Sequence, residues 1–146
     1  MRPIYETELD RTREDRVFRM LAEKMNFDYI GTPQLSAVDK LLCYKNGMLM
    51  ALAELKIRTN KHDAYSTYLF SATKHSTLLS ISESLKVPAL LFVKFSDCVA
   101  FTKLRFGYEQ KSGGRYDRGD HKDIETCVFI PMREFKVIAN ATDTKE

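Results

Sequence analysis

Cysteine is scarce in this 146-residue chain, and long apolar runs are missing from it. Cys43, Cys98 and Cys127 are odd in number, lie in strand-like apolar stretches and show no CxxC spacing. A disulfide framework or a zinc site is therefore not expected, and a reducing, cytoplasmic setting is. No stretch reaches the roughly 18 apolar residues of a membrane span, and the polar N-terminal residues do not read as a signal peptide, so no membrane partner is expected. Internal repeats and a Pro- or Gly-rich linker are also missing, which points to one domain over residues 1–138 and a polar tail at 139–146. The charge imbalance is small: a net +3 permits a nucleic-acid partner without requiring one. With 44% apolar and 29% charged residues, the chain has the composition of a globular domain and the length to bury a core.

The pattern of apolar residues gives a coarse order of elements. From about Thr7 to Lys24 the chain is free of Gly and Pro and carries an apolar stripe at Val17, Phe18, Leu21 and Met25, which predicts a helix. Phe27–Ile30 reads as a short strand, ended by Gly31-Thr32-Pro33. Two strands, about 38–45 and 48–58, flank Asn46-Gly47, followed by a polar loop over 58–63. A second helix is expected over 71–85, with Leu78, Ile81 and Leu85 on one side, and Pro88 beyond its end. The apolar run Ala89–Phe95, broken only by Lys94, suggests a strand covered on both faces. Val99–Leu104 and Cys127–Ile130 read as further strands. Residues 105–123 read as a loop or long hairpin tip, and 133–138 as a helical turn. The resulting α-β-β-β-α-β-β-β order implies an α/β fold, with a central mixed sheet flanked by helices.

Asn46-Gly47 is the most informative pair, because Asn-Gly between apolar runs favours a two-residue hairpin loop. That register pairs Lys45 with Met48, Cys43 with Met50 and Leu41 with Leu52, and sets Asp39 opposite Glu54. Side chains directly opposed on a sheet have Cβ atoms about 4.5–5.5 Å apart, so two facing carboxylates repel. A divalent cation would remove that repulsion. Lys56, two residues after Glu54, falls on the same face. An ordinary cross-strand ion-pair cluster would use the same residues. Leu41, Cys43, Met50 and Leu52 share that face, however, which favours a buried cluster over a solvated one. In the first helix Glu14 precedes Val17, Phe18 and Leu21 by three, four and seven residues, so it belongs to the apolar stripe. It either reaches solvent near the helix start or meets a positive partner.

A helix acid (Glu14), a strand acid (Asp39) and Glu54-Leu55-Lys56 on the next strand, followed by a helix, are similar to the PD-(D/E)XK nuclease superfamily. The spacing most resembles the small Holliday-junction resolvases and compact phage replication-repair nucleases. Val38 stands where the motif often has proline. The resemblance implies a restriction-endonuclease-like fold and a Mg²⁺- or Mn²⁺-dependent nuclease cutting DNA, an endonuclease of phage or bacterial replication, recombination or repair. It gives the metal ligands as Asp39, Glu54 and the Leu55 backbone carbonyl, with Glu14 ligating directly, through water or at a second metal. Mg²⁺ favours such oxygen donors. Lys56 would position water or stabilise charge, since carboxylates beside it favour the ammonium. No organic cofactor is implied. If the chain is phage-encoded, the compartment is the host cytoplasm.

Contacts to DNA are expected from Lys74, on the inward stripe of the second helix, from Arg58 and Lys61 after Lys56, and from Tyr65 and Tyr68. Basic and aromatic residues of this kind hold phosphates and stack on unpaired bases. Arg115 lies in the loop 105–123. His62 and His75 read as exposed residues that could also touch phosphate. A homodimer is compatible with symmetric cutting of two strands. The alternative function is a catalytically inactive nucleic-acid-binding or assembly protein on the same scaffold.

Overall fold

The computed structural model describes residues 8–31, 38–114 and 124–140, of which residues 8–13, 113, 114 and 124 are described by backbone alone. Helix α1 (Glu8–Met25) leads into β1 (Asp28–Gly31), β2 (Lys40–Cys43), β3 (Leu49–Ile57) and β4 (Thr67–Ser71). Helix α2 (Ala72–Leu85) precedes β5 (Ala89–Lys94), β6 (Cys98–Lys103), β7 (Glu109–Gly114) and β8 (Ile124–Pro131). A 3-10 turn (Met132–Glu134) and β9 (Lys136–Asn140) follow. Strands form a six-stranded sheet in the order β1-β2-β3-β5-β6-β9 and a three-stranded sheet in the order β4-β8-β7. In the larger sheet β3 and β5 are parallel and the other neighbours antiparallel, so it is mixed. The crossover between β3 and β5 is made by β4 and α2.

Several elements differ from the sequence-based expectations. Strand β4 falls in residues 64–70, to which the sequence assigns no element, and takes the first residue of the expected helix. Its inward residues, Tyr68 and Phe70, are only two, too few for a periodic signal. Strand β7 is polar (Glu109, Gln110, Lys111, Ser112) and is held by backbone pairing with β8, so hydropathy does not reveal it. The helical turn expected at 133–138 is confined to the 3-10 turn Met132–Glu134, and strand β9 takes residues 136–138 and extends through 139 and 140. Ala139 there is buried against β6. In α2 the buried side chains are His75, Leu78 and Leu79, whereas Leu85 is exposed, so the inward face is rotated from the expected stripe. Met25 likewise lies outside the buried stripe of α1.

Two apolar cores lie on opposite faces of the large sheet. Val17, Phe18 and Leu21 of α1 pack with Ala51, Ala53, Leu55 and Phe92. Leu78 and Leu79 of α2, with Tyr68, Phe70, Val128 and Ile130 of the small sheet, pack with Leu52, Leu91, Val93 and Phe95. Alternation along β3 therefore sends odd residues toward α1 and even residues toward α2. Ser71 caps α2, its hydroxyl accepting from the Lys74 amide at 3.2 Å. Lys86 in the left-handed region (φ 57°) ends it.

The β2–β3 hairpin differs from the expected turn but recovers the expected pairing. Its loop has three residues: the Tyr44 amide donates to the Met48 carbonyl and the Gly47 amide to the Tyr44 carbonyl, both at 2.8 Å. Gly47 takes the left-handed conformation (φ 88°). Cys43 consequently pairs with Leu49, one residue out of the expected register with Met50. Met50 is then an extra residue on β3, a β-bulge, after which Leu42 pairs with Ala51, Leu41 with Leu52 and Lys40 with Ala53. The bulge cancels the slip made at the turn. A Cβ on Gly47 would meet no atom within 4 Å, so the cost of substitution there is conformational. Gly47→Ala should lower stability by about 1–2 kcal/mol, read as a reduced urea midpoint with an unchanged denaturant slope.

Candidate active site

Glu54 is the buried acid of the large sheet, at 5% exposure. As an even residue of β3 it faces α2, with Leu52 behind it and Lys56 ahead. Its Oε2 lies 3.6 Å from Lys56 Nζ and its Oε1 3.1 Å from Lys74 Nζ on α2. Among the described residues no hydrogen bond of good geometry reaches Oε1, so that oxygen has ion-pair attraction without an aligned donor there. Asp39 stands one residue before the Lys40–Ala53 pair, where continued register brings it opposite Glu54. Its Oδ2 accepts the Leu55 amide at 3.2 Å, which ties the carboxylate to the strand carrying Glu54. Asp39, Glu54, Lys56 and Lys74 are thus brought together from β2, β3 and α2.

Glu14 is placed differently. It is half-buried on α1, whose apolar stripe docks on the face opposite Glu54. Among the described residues, the ligand atoms of Glu14, Asp39 and Glu54 do not all lie within 4.8 Å of one another, whereas those of His62, Asp97 and Cys98 do. Arg58, Lys61 and Tyr65 are exposed in the segment after β3. Arg115 lies outside the described residues, as does the rest of 115–123.

Tyr68 corrects an expectation. It is buried rather than open for base stacking, with its ring edge-on to Phe95 and Phe135 at centroid distances of 6.4 and 5.9 Å. The exposed Arg58 guanidinium covers its ring at 5.2 Å. The hydroxyl is buried and has no hydrogen-bond partner among the described residues. Burial, assisted by the negative charge of Glu54 and opposed by Arg58, pushes its phenol up to about 12. His75 is another correction: it is buried, its Nε2–H donating to the Arg105 carbonyl (2.8 Å) and its ring packed on Tyr108, so it is no phosphate contact. Periodicity could have found it, since it precedes Leu78 and Leu79 by three and four residues.

The donor set suits a hard divalent cation. Asp39 and Glu54 offer carboxylate oxygens from adjacent strands, and the Leu55 carbonyl belongs to the same stretch of β3. The buried Oε1 without an aligned donor is the oxygen such an ion would satisfy. Two lysines beside Glu54 compensate its charge meanwhile.

The family model described as "Phage putative PDDEXK endonuclease" matches residues 1–138. The chain belongs to this family. It is accordingly a PDDEXK-type nuclease, of a class that binds DNA and generally uses divalent metal ions. Among solved structures it is similar to Hjc, a Holliday junction resolvase from the archaeal hyperthermophile Archaeoglobus fulgidus. The two share 17% identity with a TM-score of 0.50 over 64% of this chain and 71% of that one. That likeness, with the mixed sheet and its helices, gives the PDDEXK nuclease a restriction-endonuclease-like fold. No curated protein matches the chain.

Tyr68→Phe tests the orphaned hydroxyl. Deleting a buried hydroxyl without a partner should leave neutral-pH stability unchanged or raise it by about 1 kcal/mol. Because the folded-state value lies above the ordinary 10, the wild type keeps its neutral-pH stability below pH 10 and loses stability as pH rises from 10 toward 12, where the unfolded chain ionises this phenol and the folded one resists it. Denaturant titrations at pH 8–12 should show a smaller alkaline loss in the variant.

Proposed function

We propose that this protein is a Mg²⁺- or Mn²⁺-dependent deoxyribonuclease that hydrolyses internal phosphodiester bonds of DNA in phage or bacterial replication, recombination or repair. The observation that carries the reading is Glu54: a carboxylate buried in the sheet, flanked by Lys56 and Lys74, with Asp39 fixed beside it on the Leu55 amide. Buried charges are costly unless compensated, and a purely structural site would be served as well by apolar residues. Asp39, Glu54 and the Leu55 carbonyl would hold the cation. When bound, it supplies a water activated near neutral pH and neutralises charge developing on the phosphate. Lys56 positions that water and stabilises the same developing charge. Lys74, now on Glu54 Oε1, is free to turn to the scissile phosphate once the carboxylate has another partner. Glu14 is an outer acid in this scheme, supporting the cation through water.

Arg58, Lys61 and Tyr65 extend from the end of β3 and would receive the DNA strand beside the site, with Arg115 adding charge from its loop. Tyr68 acts through Arg58, holding the guanidinium over its ring. Cutting both strands symmetrically would need two sites, hence a homodimer.

Asp39→Asn and Glu54→Gln should each lower cleavage by more than about 10²-fold, the scale on which one preorganised electrostatic contact acts. The assay compares junction, flap, nicked, duplex and single-stranded DNA, and RNA, in Mg²⁺, Mn²⁺ and EDTA. Full activity of both variants, or wild-type cleavage in EDTA, would contradict the reading. DNA binding in Ca²⁺ without cleavage of any substrate in Mn²⁺ would favour a non-catalytic binding protein on this scaffold. Arg58→Ala and Lys61→Ala should weaken DNA binding across sequences, each reducing the salt dependence of log K by about one unit of slope. Fluorescence anisotropy over a salt series measures this.

A further inference from the structure

His62 meets two neighbouring residues distant from it in sequence, Asp97 and Cys98, beyond the C-terminal end of β3. His62 lies in the segment between β3 and β4; Asp97 and Cys98 lie in the turn between β5 and β6 and at the first residue of β6. The imidazole Nδ1 of His62 is 2.6 Å from Asp97 Oδ2, and the His62 amide donates to Asp97 Oδ1 at 3.0 Å. A ligand atom from each of the three, Cys98 Sγ included, lies within 4.8 Å of the other two. Cys98 is 4% exposed, while the His62 and Asp97 side chains keep 39% and 30% of their surface. The set is therefore anchored in the core by sulfur and open to solvent on its nitrogen and oxygen side.

We propose that His62, Asp97 and Cys98 form a second metal site, taking Zn²⁺ with an open fourth position for water. The donor chemistry separates it from the acidic site. Thiolate and imidazole favour Zn²⁺ over Mg²⁺, which takes oxygen. Zinc coordinates such donors at about 2.0–2.3 Å in a tetrahedron. Ligand atoms then stand more than about 3 Å apart, so His62 and Asp97 must part slightly as the ion replaces the hydrogen between them. The backbone is already held in place: the Ser96 amide donates to the Asn60 carbonyl at 3.0 Å, and the Arg58 amide to the Lys94 carbonyl at 2.8 Å. Binding deprotonates the Cys98 thiol and removes the hydrogen shared by His62 and Asp97, releasing these protons to solvent. The sequence conceals the site because 35 residues separate His62 from Asp97, and no CxxC spacing marks it. Resting on the nuclease reading only for its consequence, the ion would fasten the segment bearing Arg58, Lys61 and Tyr65 to the β5–β6 turn.

Titration of the full chain with Co²⁺, a spectroscopic substitute for Zn²⁺, tests the site without reference to cleavage. One equivalent should give a near-ultraviolet thiolate-to-cobalt charge-transfer band and visible bands of tetrahedral intensity, and one equivalent of Zn²⁺ should remove them. Both sets should persist in Cys127→Ala and vanish in Cys98→Ala and His62→Gln. Zn²⁺ affinity should fall by more than about 100-fold in the last two, beyond the 10–100-fold typical of a group outside the ligand shell. His62→Gln changes a partly exposed side chain and decides the matter if Cys98→Ala does not fold by circular dichroism. A wild type without the thiolate band, or a band surviving in folded His62→Gln or Cys98→Ala, overturns the proposal. Neither result bears on the acidic site, whose oxygen ligands give no thiolate band.

Discussion

The structure depends on how a carboxylate is kept inside a sheet. Glu54 sits in the central parallel pair, under α2, where an isolated charge would cost several kcal/mol even after relaxation. Lys56 on its own strand and Lys74 on α2 approach its two oxygens. Those contacts constrain the fold as much as they compensate charge. They require α2 to present Lys74 toward the sheet, β3 to keep its even residues on that side, and β2 to hold Asp39 in place. The apolar packing of Leu52, Leu78 and Leu91 around the same region gives the elements a fixed distance and orientation. Burial thus carries most of the stability, and the ion pairs determine which arrangement it stabilises.

The register of β2 on β3 shows how a turn and a site can be uncoupled. A three-residue loop slips the pairing at the hairpin tip, and the bulge at Met50 restores it before Leu41 meets Leu52. Had the slip continued, the side chains of β2 and β3 would have exchanged partners all along the ladder. Asp39 would then have lost its place beside the Leu55 amide. Asn-Gly predicted the position of the bend correctly and its length incorrectly; Gly47 still supplies the left-handed residue that the longer loop needs.

What was legible in the sequence follows from what periodicity encodes. The stripe of Val17, Phe18 and Leu21, the buried β5 run and the pairing near Leu52 were readable, because each rests on contacts repeated along one element. Asp39, Glu54, Lys56 and Lys74 were singled out as candidates through that same pattern, and the fold brings them near one another. Strands β4, β7 and β9 were not, since they are short or polar and owe their conformation to partners distant in sequence. The side of the sheet on which α1 docks was equally invisible, and it decides how near Glu14 comes to Asp39 and Glu54. The burial of Tyr68 follows from the second sheet closing over it, which no local pattern of β4 announces. His62, Asp97 and Cys98 meet only because two connections converge at one end of the large sheet.

Family membership and the buried acid lead to the same expectation by separate routes, one from the whole chain and one from a few atoms. The claim they share is that Asp39 and Glu54 are metal ligands. Anomalous diffraction from crystals soaked in Mn²⁺ tests it most directly. The account predicts a manganese peak bonded to carboxylate oxygens of Asp39 and Glu54 and to the Leu55 carbonyl, with Lys74 drawn off Glu54. A saturating soak that leaves Lys74 on Glu54 and places no peak between these carboxylates would contradict it.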